Sequence, residues 1–122
     1  MGLSVVVLQK DPAIALSLDG GLRSLFHSVH VAGSENELCD LVAQNLPEVA
    51  VLDVEELRFA DVEKLHQDFH SLLIVCTHRS PDEEMWMAAL EAGAVDVCPA
   101  HDVEAILGSI LRSVALAQGT AA

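Results

Sequence analysis

Tyrosine is absent from this chain, and aromatic residues make up only 3% of its 122 residues. Any core must therefore be aliphatic, built from Val, Leu, Ile and Ala. Basic residues are also scarce: 6 Lys and Arg stand against 19 Asp and Glu, a formal net charge of −13. Such an excess repels phosphate backbones and anionic lipid, which argues against nucleic-acid binding by this domain and against adsorption to membranes. It suits a basic partner, although a generic acidic surface explains it as well. Long apolar runs are missing too. None reaches the roughly 20 residues that span a bilayer, and no basic segment followed by an apolar one marks a signal peptide. The three cysteines, Cys39, Cys76 and Cys98, are odd in number and lack CxxC spacing. Cys76 and Cys98 fall inside apolar runs and read as buried small hydrophobes. This usage fits a reducing cytoplasm, the expected location.

What is present is ample apolar material, 52% of residues, which excludes disorder. The length suits a single domain over residues 1–122. Five short apolar runs, at 4–9, 29–32, 49–53, 72–77 and 95–98, are each followed by a helix-like segment. Their near-continuous Val, Ile and Leu content implies burial on both faces, as in a parallel sheet. The second run alternates, as an edge strand does.

The intervening segments carry helix signals. Asp11-Pro12 reads as N-cap and first helical position, followed by Ile14, Leu18, Leu22 and Leu25. Gly20-Gly21 predicts a kink or fraying in that helix. Ser34 to Glu37 and Ser80 to Glu83 read as capping boxes, the third helix as residues 61–69, and Gly93 as the stop of the fourth. Asp102 caps a last helix expected to bury Val103, Ile106, Ile110 and Leu111. The tail at 118–122 is expected to fray. Strict β-α alternation with short connections predicts right-handed crossovers and a doubly wound parallel α/β sheet.

Asp53 closes the third run, Val49-Ala50-Val51-Leu52-Asp53. A carboxylate at the carboxyl end of a buried parallel strand stands where open α/β folds place their chemistry. Together with Cys76-Thr77 at the fourth run and Glu91-Ala92-Gly93-Ala94-Val95-Asp96-Val97 before the fifth, this spacing resembles the receiver domains of two-component response regulators. The resemblance covers essentially the whole chain. It implies a flavodoxin-like (βα)5 sheet in strand order 2-1-3-4-5 and a signalling domain rather than an enzyme. It further implies phosphoryl transfer onto Asp53, with Thr77 at the hydroxyl switch position and Val97 at the aromatic one.

The remaining family positions depart from the pattern. Gln9 and Lys10 stand where the family has two acidic residues, and Ala100 stands where it has a lysine. Hard Mg²⁺ wants oxygen ligands, and Lys10 places positive charge where the cation would sit. An ion pair between Lys10 and Asp53 is therefore expected, in a degenerate receiver, or pseudo-receiver, that needs no cofactor and works by protein binding. The alternative is a working phosphoacceptor, phosphorylated on Asp53 by a histidine kinase with Mg²⁺. A flavodoxin-like enzyme or nucleotide binder is disfavoured, because the loop Gln9-Lys10-Asp11-Pro12 has no glycine to cradle phosphate.

Other residues invite sharper and plainer readings. His78 and His101 follow the fourth and fifth strand ends and could join Asp53 at a metal, but loop histidines are common and no metal site is assigned. His66 and His70 share a helical face without a third ligand. Asp82 and Glu83 suit the positive end of a helix. Trp86 lies off the Met85-Ala89 stripe; with Val97 and His101 it marks an interaction surface. The resemblance places a protein contact, including a homodimer, on the fourth helix, fifth strand and fifth helix.

Overall fold

Alternation within the strands divides the aliphatic residues between two layers. The computed structural model describes the backbone of residues 3–119 and side chains through Leu116. The elements alternate as expected: β1 (Ser4–Leu8), α1 (Pro12–Arg23), β2 (Ser28–Ala32), α2 (Glu35–Asn45), β3 (Val49–Asp53), α3 (Phe59–Asp68), β4 (Leu73–His78), α4 (Glu83–Glu91), β5 (Asp96–Pro99) and α5 (Val103–Gly119). The strands form one parallel sheet in the order β2-β1-β3-β4-β5, so β2 is indeed an edge.

Val6, Leu8, Ala50, Leu52, Ile74 and Cys76 face α2, α3 and α4, where they meet Leu38, Val42, Val62, Leu65 and Ala89. Val5, Val7, Val49, Val51, Val75 and Cys98 face α1 and α5, meeting Leu18, Leu22, Ile106 and Ile110. Every residue of β3 is buried, which the period-2 pleat requires of a central strand covered on both faces. Truncating one of these Leu side chains to Ala costs about 2–5 kcal/mol. Burial also pushes the Cys76 thiol up to about 12, so it packs and does not react.

Local differences from the sequence expectations have identifiable causes. α1 runs through Gly20-Gly21 without a break; a Cβ on Gly21 would overlap the Val103 side chain, so close approach of α5 requires this glycine. α3 begins at Phe59, ahead of residue 61, because Asp61 Oδ2 turns back to accept from the Arg58 N–H at 3.3 Å. Ser80 is not a cap. Asp82 caps α4, accepting from the Met85 N–H at 2.8 Å. In α2, Ser34 Oγ accepts from the Glu37 N–H at 3.2 Å, while Glu37 reaches past Ser34 to the Gly33 N–H.

Leu111 is exposed, not buried; Ile106 and Ile110 supply the α5 core stripe. Asp102 caps this helix as expected, accepting from the Ala105 N–H. Gly93 ends α4 at φ +103. The helical backbone continues to Gly119, and the expected fraying of the tail otherwise falls outside the described residues. No helix among the described residues is long and apolar enough to cross a membrane.

Candidate functional site

Parallel strands bring their carboxyl ends to one edge, and the residues following β1, β3 and β4 meet there. Gln9, Asp11, Ile14, Asp53, Glu55, Glu56 and Arg79 line a cavity of about 410 Å³. Asp53 is at its wall and Thr77 stands beside it in register on β4. Both residues are buried. The Val54 N–H donates to the Thr77 carbonyl at 2.9 Å, extending the β3–β4 ladder past Asp53.

Asp53 is sparsely supported. Its Oδ1 accepts from the Glu55 N–H at a long 3.4 Å. The residue is 3% exposed. Desolvation pushes its pKa upward; the Glu55 N–H opposes this, and the charges of Glu55 and Glu56 add to it.

The expected Lys10–Asp53 ion pair is not formed. Lys10 Nζ lies 3.3 Å from Glu56 Oε2, and its side chain is 68% exposed. A nearer carboxylate at the rim allows the ammonium to remain hydrated, which avoids the cost of burying it beside Asp53. Arg79 does the same on the opposite side: its Nη2 donates to Glu55 Oε1 at 2.9 Å and Nε to the same oxygen at 3.3 Å. That contact holds Glu55 below the usual carboxylate range.

Gln9 is turned inward and is 5% exposed. Its Oε1 accepts from the Asp11 N–H at 3.0 Å, leaving Nε2 buried and without a hydrogen-bond partner. Asp11 Oδ1 caps α1, accepting from the Ala13 and Ile14 N–H groups at 2.9 and 3.3 Å. Asp11 is thus both cap and cavity wall, whereas its sequence position suggested only the cap. These donors fit Mg²⁺ poorly. The ion needs several oxygens, Gln9 brings no carboxylate and its Oε1 already accepts from the Asp11 N–H, and among the described residues no three His, Cys, Asp or Glu side chains converge as ligands.

Ala100 is buried, and its N–H donates to the His78 carbonyl at 3.0 Å, tying the ends of β4 and β5. Neither His78 nor His101 lines the cavity. His78 Nδ1 accepts from the Ser80 N–H at 3.0 Å and shapes the β4–α4 turn, while His101 is exposed. Trp86 is 46% exposed on α4, with Met87, Leu90, Val95 and Leu111 also exposed. Val97 is half-buried and packs against the core under α4, so it offers only part of its surface. Arg79 was the residue that sequence reasoning missed. Its signal was available: it is a basic residue in an acidic chain, immediately after a strand end.

No family model matches the chain. Its sequence is 33% identical over 104 residues to the response regulator MprA of Mycobacterium sp. strain KMS, covering 81% of this chain and 44% of that protein. MprA of Mycolicibacterium vanbaalenii is 32% identical over the same length. The chain thus spans less than half of these curated relatives. Among solved structures, a response regulator from Thermotoga maritima superposes with TM-score 0.78 at 17% identity, over 90% of this chain and 98% of that one. The BeF3-activated DrrB receiver domain gives TM-score 0.80 at 19% identity, over 92% of this chain and 97% of that one. The chain has the flavodoxin-like fold of response-regulator receiver domains and is similar in sequence to response regulators across 81% of its length.

Proposed function

We propose that this chain is a signalling domain of a two-component or phosphorelay pathway, works by protein–protein contact, and carries a degenerate phosphorylation site. The observation that supports this most directly is the surroundings of Asp53. A carboxylate that accepts a phosphoryl group needs cations to neutralise charge on the transferred oxygens. Here one long backbone hydrogen bond serves Asp53, and the nearest cations are drawn to Glu55 and Glu56. At Ala100 there is no side-chain charge to contact a phosphoryl oxygen.

The domain is read as non-enzymatic, without a metal cofactor, and cytoplasmic. Its contact surface is read as α4, β5 and α5, where Trp86, Met87 and Leu111 are exposed; Trp side chains are enriched at interface hot spots. A second copy of the chain or another signalling protein would dock there, and nucleic acid would not bind this acidic domain. Treatment with Mg²⁺ and a small phosphodonor, followed by intact-mass measurement, tests the reading. No phosphoryl adduct is expected, and none with beryllofluoride in place of the donor. Stoichiometric modification of Asp53 would instead establish a working phosphoacceptor, served by a histidine kinase.

A further inference from the structure

We infer that the groove between α2 and α3 is a docking surface for a basic amphipathic helix of a partner protein. The inference does not depend on the state of Asp53, and it concerns a face other than α4, β5 and α5. The helices α2 and α3 lie side by side on one face of the sheet, and a cavity of about 450 Å³ separates them. Leu65 and Phe69 on the α3 side and Ala43 on α2 give it an apolar base. A second cavity, of about 300 Å³, continues it: Phe69 borders both, and Val42, Leu46, Pro47 and Leu72 supply the rest of its apolar lining. The groove thus follows α2 from Glu35 to Leu46, roughly 16 Å or about three helical turns. That length suits a helix laid along the groove better than a compact ligand.

Leu46 is a separate sign of a contact surface. It ends α2 at φ 45, a left-handed conformation that glycine or asparagine adopts with less strain. Its side chain is 67% exposed. Leucine here neither eases the backbone nor fills the core. What it adds is an apolar side chain at the end of the groove, which a docked helix would remove from water.

Charge selects the partner. Carboxylates of Glu35, Asp40, Asp61 and Asp68 border the groove against one ammonium, that of Lys64. Asp61 is paired with Arg58, whereas Glu35, Asp40 and Asp68 have no ion-pair partner among the described residues. The last turn of α2 carries no basic residue, although a cation is favoured at that end of a helix. A helix with an apolar stripe flanked by Lys or Arg complements both the base and the rim. A second copy of this chain, at a net charge of −13, would meet like charge there.

The test titrates the whole chain with an amidated peptide of two Leu-Lys-Lys-Leu-Leu-Lys-Leu repeats, which gathers its Leu on one helical face, and follows backbone amide resonances. A peptide of the same composition with Leu spread around the helix is the comparison. The amphipathic peptide should shift the α2 and α3 amides saturably, and the rearranged one should bind about tenfold more weakly. Leu46→Asn, which suits the left-handed backbone and so keeps the fold, should weaken binding about fivefold. Asp40→Lys with Asp68→Lys should weaken it about tenfold, and the same charge change on α4, Glu84→Lys with Glu91→Lys, less than about threefold. Equal binding of the two peptides, unchanged affinity in Leu46→Asn, equal losses from the two charge reversals, or shifts confined to α4, β5 and α5 would overturn the inference. So would self-association of the chain through α2 and α3, which would make a second copy the occupant.

Discussion

Lys10 Nζ reaches Glu56 Oε2 at 3.3 Å and leaves Asp53, deeper in the same cavity, without a cation. The pair is exposed, and exposed pairs contribute about 0–1 kcal/mol. Lys10→Ala should therefore change unfolding free energy by less than about 1 kcal/mol in urea titration. Removing Lys10 alone should not create a Mg²⁺ site, because Gln9 still supplies no carboxylate and its Oε1 remains held by the Asp11 N–H. Gln9→Asp with Lys10→Asp should gain saturable Mg²⁺ binding, read by tryptophan-independent calorimetry. A gain from Lys10→Asp alone would contradict this assignment of roles.

The pH dependence of Asp53 has a defined sign. Its folded pKa lies above the ordinary value of 3.8, chiefly through desolvation. A carboxyl raised on folding contributes stability below the unfolded pKa, and that contribution is lost as pH rises through the folded value. Asp53→Asn removes this titration. Unfolding free energy of Asp53→Asn minus that of the parent should thus increase as pH rises from about 3.8, then level off. A difference that decreases over that window would contradict the desolvated, unpaired description.

Capping of α4 separates two adjacent candidates. Asp82 accepts from the Met85 N–H, so Asp82→Ala should cost about 1 kcal/mol of stability. Ser80→Ala should have little effect, within about 0.5 kcal/mol. Equal losses in thermal melts would restore the capping role to Ser80.

Gly93 combines two constraints, a φ of +103 and a Cβ position already filled by the His66 ring. Gly93→Ala should destabilise by more than about 1 kcal/mol, since strain in φ and overlap add. Urea unfolding monitored by circular dichroism gives the value.

Trp86 is 46% exposed, and Trp86→Asp should leave stability within about 0.5 kcal/mol. It should weaken self-association or partner binding through α4, β5 and α5, measured by sedimentation. Unchanged association would move the contact surface elsewhere.

The sheet order and the division of layers were legible because they follow from period-2 and helical periodicities that the aliphatic residues carry. Asp53, Gln9 and Ala100 were likewise placed at one edge by strand endings alone. Lys10 was misassigned for a different reason. Sequence position located its Cα near the cavity but could not weigh Glu56 against Asp53 as its partner, a choice decided by hydration. The same limit hid Arg79, whose relevance depends on Glu55 lying across the edge from it. Gly20-Gly21 misled because glycine's flexibility was visible in sequence, whereas the closeness of Val103 to Gly21 was not.

Asp11 links the cavity mechanically to α1. Its backbone N–H holds Gln9 while its carboxylate holds the Ala13 and Ile14 N–H groups. Drawing Asp11 Oδ1 away from those amides toward the cavity would loosen the first turn of α1. Occupancy of the edge would then be legible at a distance from it, as faster hydrogen exchange at two backbone amides.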